Sequence, residues 1–104
     1  MQKRKEVNLS IEYRIFETDR FIKDFKEITL SFRETIEEKL QDHVYPQLKQ
    51  QPYFGPNIKK LKGWKPDTWR YKIGSWRFFY EIDTEEKIVF MLAAEHRSSA
   101  YRKK

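Results

Sequence analysis

The sequence predicts an α+β fold with elements in the order βααβββ, a helical hairpin packed on a mainly antiparallel four-stranded sheet. Three observations carry this. Ile11, Tyr13 and Ile15 alternate with polar neighbours near the start, and two capped stretches of helical periodicity follow. Later, Trp69, Tyr71 and Ile73 mirror Trp76, Phe78 and Tyr80 across Gly74-Ser75. Alternation with period two marks a strand with one face in a core, and a period near 3.6 marks a helix with one apolar stripe.

The first strand is centred on Tyr13. The first helix is predicted over Asp19–Ile28, capped by Thr18 or Asp19, with Phe21, Ile22, Phe25 and Ile28 on its apolar face. Ser31 with Glu34 three residues on forms a capping box, and Phe32, Ile36, Leu40, Val44 and Leu48 continue at helical spacing. Pro46, Pro52, Gly55 and Pro56 predict that this second helix frays or stops and hands over to a long loop across Gln47–Asn57. The aromatic hairpin comes next. Asp83-Thr84-Glu85-Glu86 supplies another turn, and Ile88–Ala94 is apolar enough for a central strand buried on both faces. Residues 95–104 read as a polar extension.

At 104 residues, with 38% hydrophobic and 16% aromatic side chains, the chain can fill one core, so a single domain over 1–104 is expected, with 1–8 and 102–104 as tails. The absence of cysteine excludes disulfides and thiol chemistry, and two distant histidines make no metal site. No cofactor and no metal are expected. Neither a signal-peptide core nor an apolar run of the roughly 20 residues that a spanning helix needs is present, which predicts a cytoplasmic protein without membrane contact.

The net charge of +6 is local. Between Ile58 and Tyr80 there are seven Lys and Arg against one Asp, whereas acids and bases balance on either side. Trp64, Trp69, Tyr71 and Trp76 are interleaved with Lys62, Arg70, Lys72 and Arg77. Cations beside planar rings suit a phosphate backbone with exposed bases, so RNA is the first candidate ligand.

Several blocks carry a family likeness: Leu61-Lys62-Gly63 ahead of the hairpin, the run WRYKIGSWRFFYEI at Trp69–Ile82, and H-R-x-x-x-Y at His96–Tyr101. With the order of elements, they resemble the RelE/ParE superfamily of toxins from toxin–antitoxin systems over nearly the whole chain. The resemblance implies a RelE-like fold and, from the ending HRSSAY, the RelE-type branch, whose members are endoribonucleases that cut messenger RNA on the ribosome. It also implies a small antitoxin as partner, acidic where it meets the basic face.

Carried onto this sequence, the resemblance assigns Arg70 and Lys72 to basic positions two apart on one strand, Arg77 to the next strand, and His96 or Arg97 with Tyr101 to the end. Glu95 departs from the pattern, because some members are basic there. RNA cleavage by its own 2′-OH needs only geometry, charge stabilisation and proton transfer. Arg77 is expected to grip the non-bridging oxygens. Lys72 serves either as base or as electrostatic clamp, His96 or Arg97 as general acid, and Tyr101 stacks on a base or orients the 2′-OH. Lys59, Lys60, Lys62, Lys65, Arg70 and Trp64 are expected to position RNA. The plainer readings are a core role for Trp69 and Tyr71 and a solvated face for the lysines. The rival functions are a ParE-like gyrase inhibitor and an inactive RNA- or antitoxin-binding relative.

Overall fold

The computed structural model describes residues 12–28 and 30–97, the side chains of 30–32 excepted. Ile11, the side chains of Ser31 and Phe32, Tyr101 and the expected tails lie outside the described residues. Strand β1 is Arg14–Glu17, followed by helices α1, Asp19–Lys26, and α2, Leu30–Lys39. A π-helical turn at Leu40–Val44 joins α2 to α3, Tyr45–Gln50. Strands β2, Ile58–Lys60, β3, Trp69–Ile73, β4, Trp76–Asp83, and β5, Ile88–His96, complete one sheet in the order β1-β5-β4-β3-β2. The α+β class and a mainly antiparallel sheet agree with expectation. Among the described residues the sheet has five strands rather than four, because Ile58-Lys59-Lys60, with one apolar residue, is too short and too charged to announce a strand. Only β1 runs parallel to its neighbour, β5.

Thr18, not Asp19, caps α1. Its hydroxyl oxygen accepts from Phe21 N at 3.2 Å while its O–H donates to Met91 O at 2.8 Å, so one side chain starts the helix and ties it to β5. The helix ends at Lys26, two residues early, and Ile22 is 39% exposed instead of lying in the core with Phe21. α2 begins at Leu30, which places Ser31 inside the first turn rather than at the cap.

Ile36, Leu40, Val44 and Leu48 are fully buried, as their spacing predicts. Steps of four residues drift by about 40° each on a regular α-helix, and the wider π turn between Leu40 and Val44 brings the stripe back into line. In that turn the Tyr45 N–H donates to Leu40 O, five residues back. Pro46 follows in the first turn of α3, where a missing N–H is tolerated, and so the helical path runs on to Gln50 instead of stopping.

Residues 51–57 are stitched down from below. Trp69 Nε1 donates to Tyr53 O at 3.1 Å, Tyr80 OH donates to Pro52 O at 2.8 Å, and Gln47 Nε2 donates to Pro56 O at 2.9 Å. Burial raises Tyr80 well above the ordinary tyrosine range, and burial with a hydrogen bond to Glu17 does the same for Tyr45. The core beneath the helices contains Phe21, Leu40, Trp69, Tyr71, Phe78, Tyr80 and Met91. Trp69 and Tyr71 are thus core residues.

β5 is longer than predicted and is buried on both faces only at Ala93 and Ala94. Val89 and Met91 are inaccessible, whereas Ile88, Phe90 and Leu92 are half-buried, because the helices cover a single side of the sheet. Beyond the end of β1, Asp24 on α1 takes over as partner of β5: its carboxylate accepts from Ala94 N at 3.0 Å. Among the described residues no helix is long and apolar enough to cross a membrane.

Candidate functional site

The site is set by strand parity. On β3, Trp69 and Tyr71 turn to the helices, so Arg70 and Lys72 emerge on the opposite face, which no helix among the described residues covers. On β4, Phe78 and Tyr80 turn inward, so Arg77, Phe79 and Glu81 share that open face. Register joins them: Lys72 lies directly across from Arg77, Arg70 across from Phe79, and Lys59 across from Arg70. The tight turn between β3 and β4 holds this register, with Gly74 at φ +60° in the region that favours glycine.

Directly opposed residues bring their Cβ atoms to about 5 Å, and like charges so placed destabilise a sheet. Lys72 and Arg77 are such a pair. Among the described residues neither closes an ion pair, and the Nε of Arg70 is buried without a hydrogen-bond partner. A row of unneutralised cations on one face is suited to a phosphate-bearing ligand.

The loop from Leu61 to Thr68 folds over this face. Leu61 N donates to Thr68 O at 2.9 Å, the Thr68 hydroxyl donates to Pro66 O at 2.9 Å, and Lys60 Nζ lies 3.3 Å from the Asp67 carboxylate. Trp64, 52% exposed, stacks on Phe79 with ring centres 6.3 Å apart and planes 10° from parallel. An accessible ring therefore stands beside the cationic row, where a base could stack. Lys62 and Lys65 are exposed on the same loop. Lys60 departs from expectation: its register partner is Trp69, on the helix-facing side, and its Nζ sits 5.6 Å over the Trp69 ring while pairing with Asp67. It closes the loop and is not in the open row.

The C-terminal residues are divided. His96 lies across from Trp76 and Glu95 across from Arg77, so His96 faces the helix side and packs edge-on against Trp76, with centroids 4.8 Å apart. The expected convergence of His96 with Arg77 is not found. The reason is a bulge. From Asp83↔Ile88 to Tyr80↔Met91 the pairing is regular, then Phe79 pairs with Ala93, leaving Leu92 as one extra residue on β5. A single inserted residue reverses which side chains share a face. Without it Arg77 would lie across from Ala94, and His96, two further on, would share its face.

Arg97 follows His96, is exposed, and its N–H donates to Ser75 O at 2.8 Å, anchoring the strand end to the β3–β4 turn. Tyr101 lies outside the described residues. In the sequence Glu95 stands only as a departure from the family pattern, and Phe79 only as one residue of the run Trp69–Ile82. The signal that would have found both is the register, which the bulge conceals. Among the described residues no group of three or more potential ligands is arranged to hold a metal ion.

The fold occurs in known proteins. The family model for the ParE toxin of type II toxin–antitoxin systems matches residues 15–101. Among solved structures, the chain is similar to the toxin–antitoxin complex RelBE2 from Mycobacterium tuberculosis, at 22% identity and a TM-score of 0.65, covering 84% of this chain and 100% of that one. It is also similar to the intact Escherichia coli RelBE complex, at 24% identity and a TM-score of 0.60, covering 81% and 95%. The archaeal RelE–RelB complex from Pyrococcus horikoshii matches at 20% identity and a TM-score of 0.59, covering 83% and 96%. No curated protein sequence matches. The likenesses to RelE structures establish the fold, and the family match over most of the chain establishes membership: this protein belongs to the ParE toxin family of type II toxin–antitoxin systems, within the RelE/ParE superfamily.

Proposed function

We propose that this toxin is a metal-independent endoribonuclease that cuts messenger RNA, in association with the ribosome, and so blocks translation. The observation that carries the reading is the opposed Lys72–Arg77 pair on the open face, continued by Arg70 and Lys59. A fold that tolerates an unneutralised like-charge contact across two strands gives up stability that an anionic ligand would restore. Arg77, central in the row, grips the non-bridging oxygens of the scissile phosphate as charge accumulates. Lys72 acts as the electrostatic clamp beside it, while Arg70, Lys59, Lys62 and Lys65 track the backbone and Trp64 receives a base. Arg97, just past the end of β5, is proposed to steady the leaving side of the phosphate, and Tyr101 is the candidate for stacking at the cut. His96 supports this region through Trp76 instead of acting as the proton donor. The products are a 2′,3′-cyclic phosphate and a 5′-OH.

The antitoxin is proposed as an acidic chain that neutralises this row, as partners of opposite potential do. RelB-type antitoxins are bound in several of the similar structures. Phe16, 55% exposed, and Ile22 border a groove along the edge of β1 that no strand among the described residues covers, which gives the same partner an apolar foothold.

Mapping 5′ ends of transcripts after induction tests the reading. Wild type should generate new internal 5′-OH ends and Arg77→Ala should not. A gyrase-directed toxin, the reading favoured by the ParE description of the family model, would leave transcripts intact and cause DNA damage.

A further inference from the structure

We infer that Glu95 is the general base of this toxin, taking the proton from the attacking 2′-hydroxyl. This rests on the endoribonuclease reading and names a residue that it leaves unassigned. Lys72 on β3, Arg77 on β4 and Glu95 on β5 form one transverse row on the open face, each directly across from the next. Glu95 is half-buried, and its strand end is held on both sides, by Asp24 at Ala94 N and by Arg97 N at Ser75 O. The bulge at Leu92 is what turns it to this face in place of His96.

A carboxylate beside the central cation of a phosphate-binding row opposes binding, since it repels the ligand that the row attracts. Nor does it serve as a structural counter-ion: among the described residues Glu95 closes no ion pair with Arg77 or Lys72. Its chemistry supplies what the row otherwise lacks. Ammonium and guanidinium groups are protonated at neutral pH and cannot accept a proton, whereas a carboxylate can. The charged groups facing it are Lys72 and Arg77 across the strands, and Arg97 follows just past the end of β5. In the step, the 2′-O–H proton passes to the Glu95 carboxylate and the 2′-oxygen bonds to phosphorus. The P–O5′ bond breaks, and the departing 5′-oxygen takes a proton from water. Glu95 then returns its proton to solvent.

The test uses ribosomes programmed with the transcript segment identified by 5′-end mapping, or with a copy carrying a 2′-deoxynucleotide at the cut, which binds but cannot react. Glu95→Gln should hold the deoxy copy as tightly as wild type or tighter, because a negative charge has been removed, and yet lose about 10²- to 10⁴-fold in single-turnover cleavage. Glu95→Ala should lose as much and regain part of it in added formate or acetate. Undiminished cleavage by Glu95→Gln, or a parallel loss of affinity and thermal stability without rescue by carboxylate, overturns the assignment while leaving the endoribonuclease reading intact. A wild-type chain that leaves the RNA whole overturns both.

Discussion

The two faces of β4 obey opposite rules. Phe78 and Tyr80 point into the helices, fully buried, with the single polar atom of Tyr80 satisfied by Pro52 O. Arg77, between Trp76 and Phe78 in the chain, points to the other side, where it meets Lys72 across one strand gap and Glu95 across the other. One face is packed into the core, and the other holds opposed like charges that close no ion pair among the described residues. Adjacent residues on one strand can thus be selected for stability and for function independently, because the pleat separates them completely.

Mutations at neighbouring positions should separate in the same way. Phe78→Ala empties core space between α1 and the sheet and should cost about 3 to 5 kcal/mol, read as a shift of the denaturant midpoint. An unchanged midpoint there would mean that the inward face is not the core. Arg77→Ala should leave the midpoint almost unmoved and lower RNA cleavage by about 10²- to 10³-fold, the usual loss on removing one group that stabilises developing charge. Destabilisation comparable to that of Phe78→Ala would break the comparison.

Trp64→Ala should weaken binding of single-stranded RNA by about 1 to 3 kcal/mol, the worth of one base stacked on a ring, with the thermal midpoint unchanged because the ring is half in solvent. Lys72→Met, which keeps the stem and removes the charge, should relieve its opposition to Arg77. It should stabilise the fold by a few tenths of a kcal/mol while reducing the salt dependence of RNA binding by about one unit of slope. A fold weakened by this change would show that Lys72 is held by contacts other than the ligand.

The inward face also predicts an alkaline limit. Tyr80 and Tyr45 are raised in the folded state, so above the ordinary tyrosine value near 10 the unfolded chain releases protons that the folded chain keeps. The unfolded state then binds fewer protons, and stability must fall as pH rises. Their contribution is fully present below pH about 10 and declines above it; Tyr80→Phe should flatten that decline in urea titrations taken between pH 9 and 11.

Much of this was legible beforehand. The stripe Ile36, Leu40, Val44 and Leu48 announced a helix packed on the sheet, and the alternation around Gly74-Ser75 announced both the hairpin and which of its residues face inward. Pro46 misled, because proline stops a regular helix and nothing local reveals that a π turn ahead of it removes the conflict. Ile58–Lys60 was hidden because an edge strand of three residues draws its stability from its partner β3 and not from its own composition. The candidate site was half visible: Arg70, Lys72 and Arg77 followed from alternation within one hairpin, whereas His96 and Glu95 depended on pairing between β4 and β5.

By itself the sequence determined the fold class, the helix-facing residues of β3 and β4 and the concentration of positive charge, because each of these follows from periodicity and composition over a few neighbouring positions. The tertiary structure alone decided which C-terminal side chain joins Arg77. That choice turns on one extra residue, Leu92, accommodated between two strands. A bulge is a property of a strand pair and leaves no mark in the periodicity of either strand, yet it turns Glu95 toward the cationic row and His96 away from it.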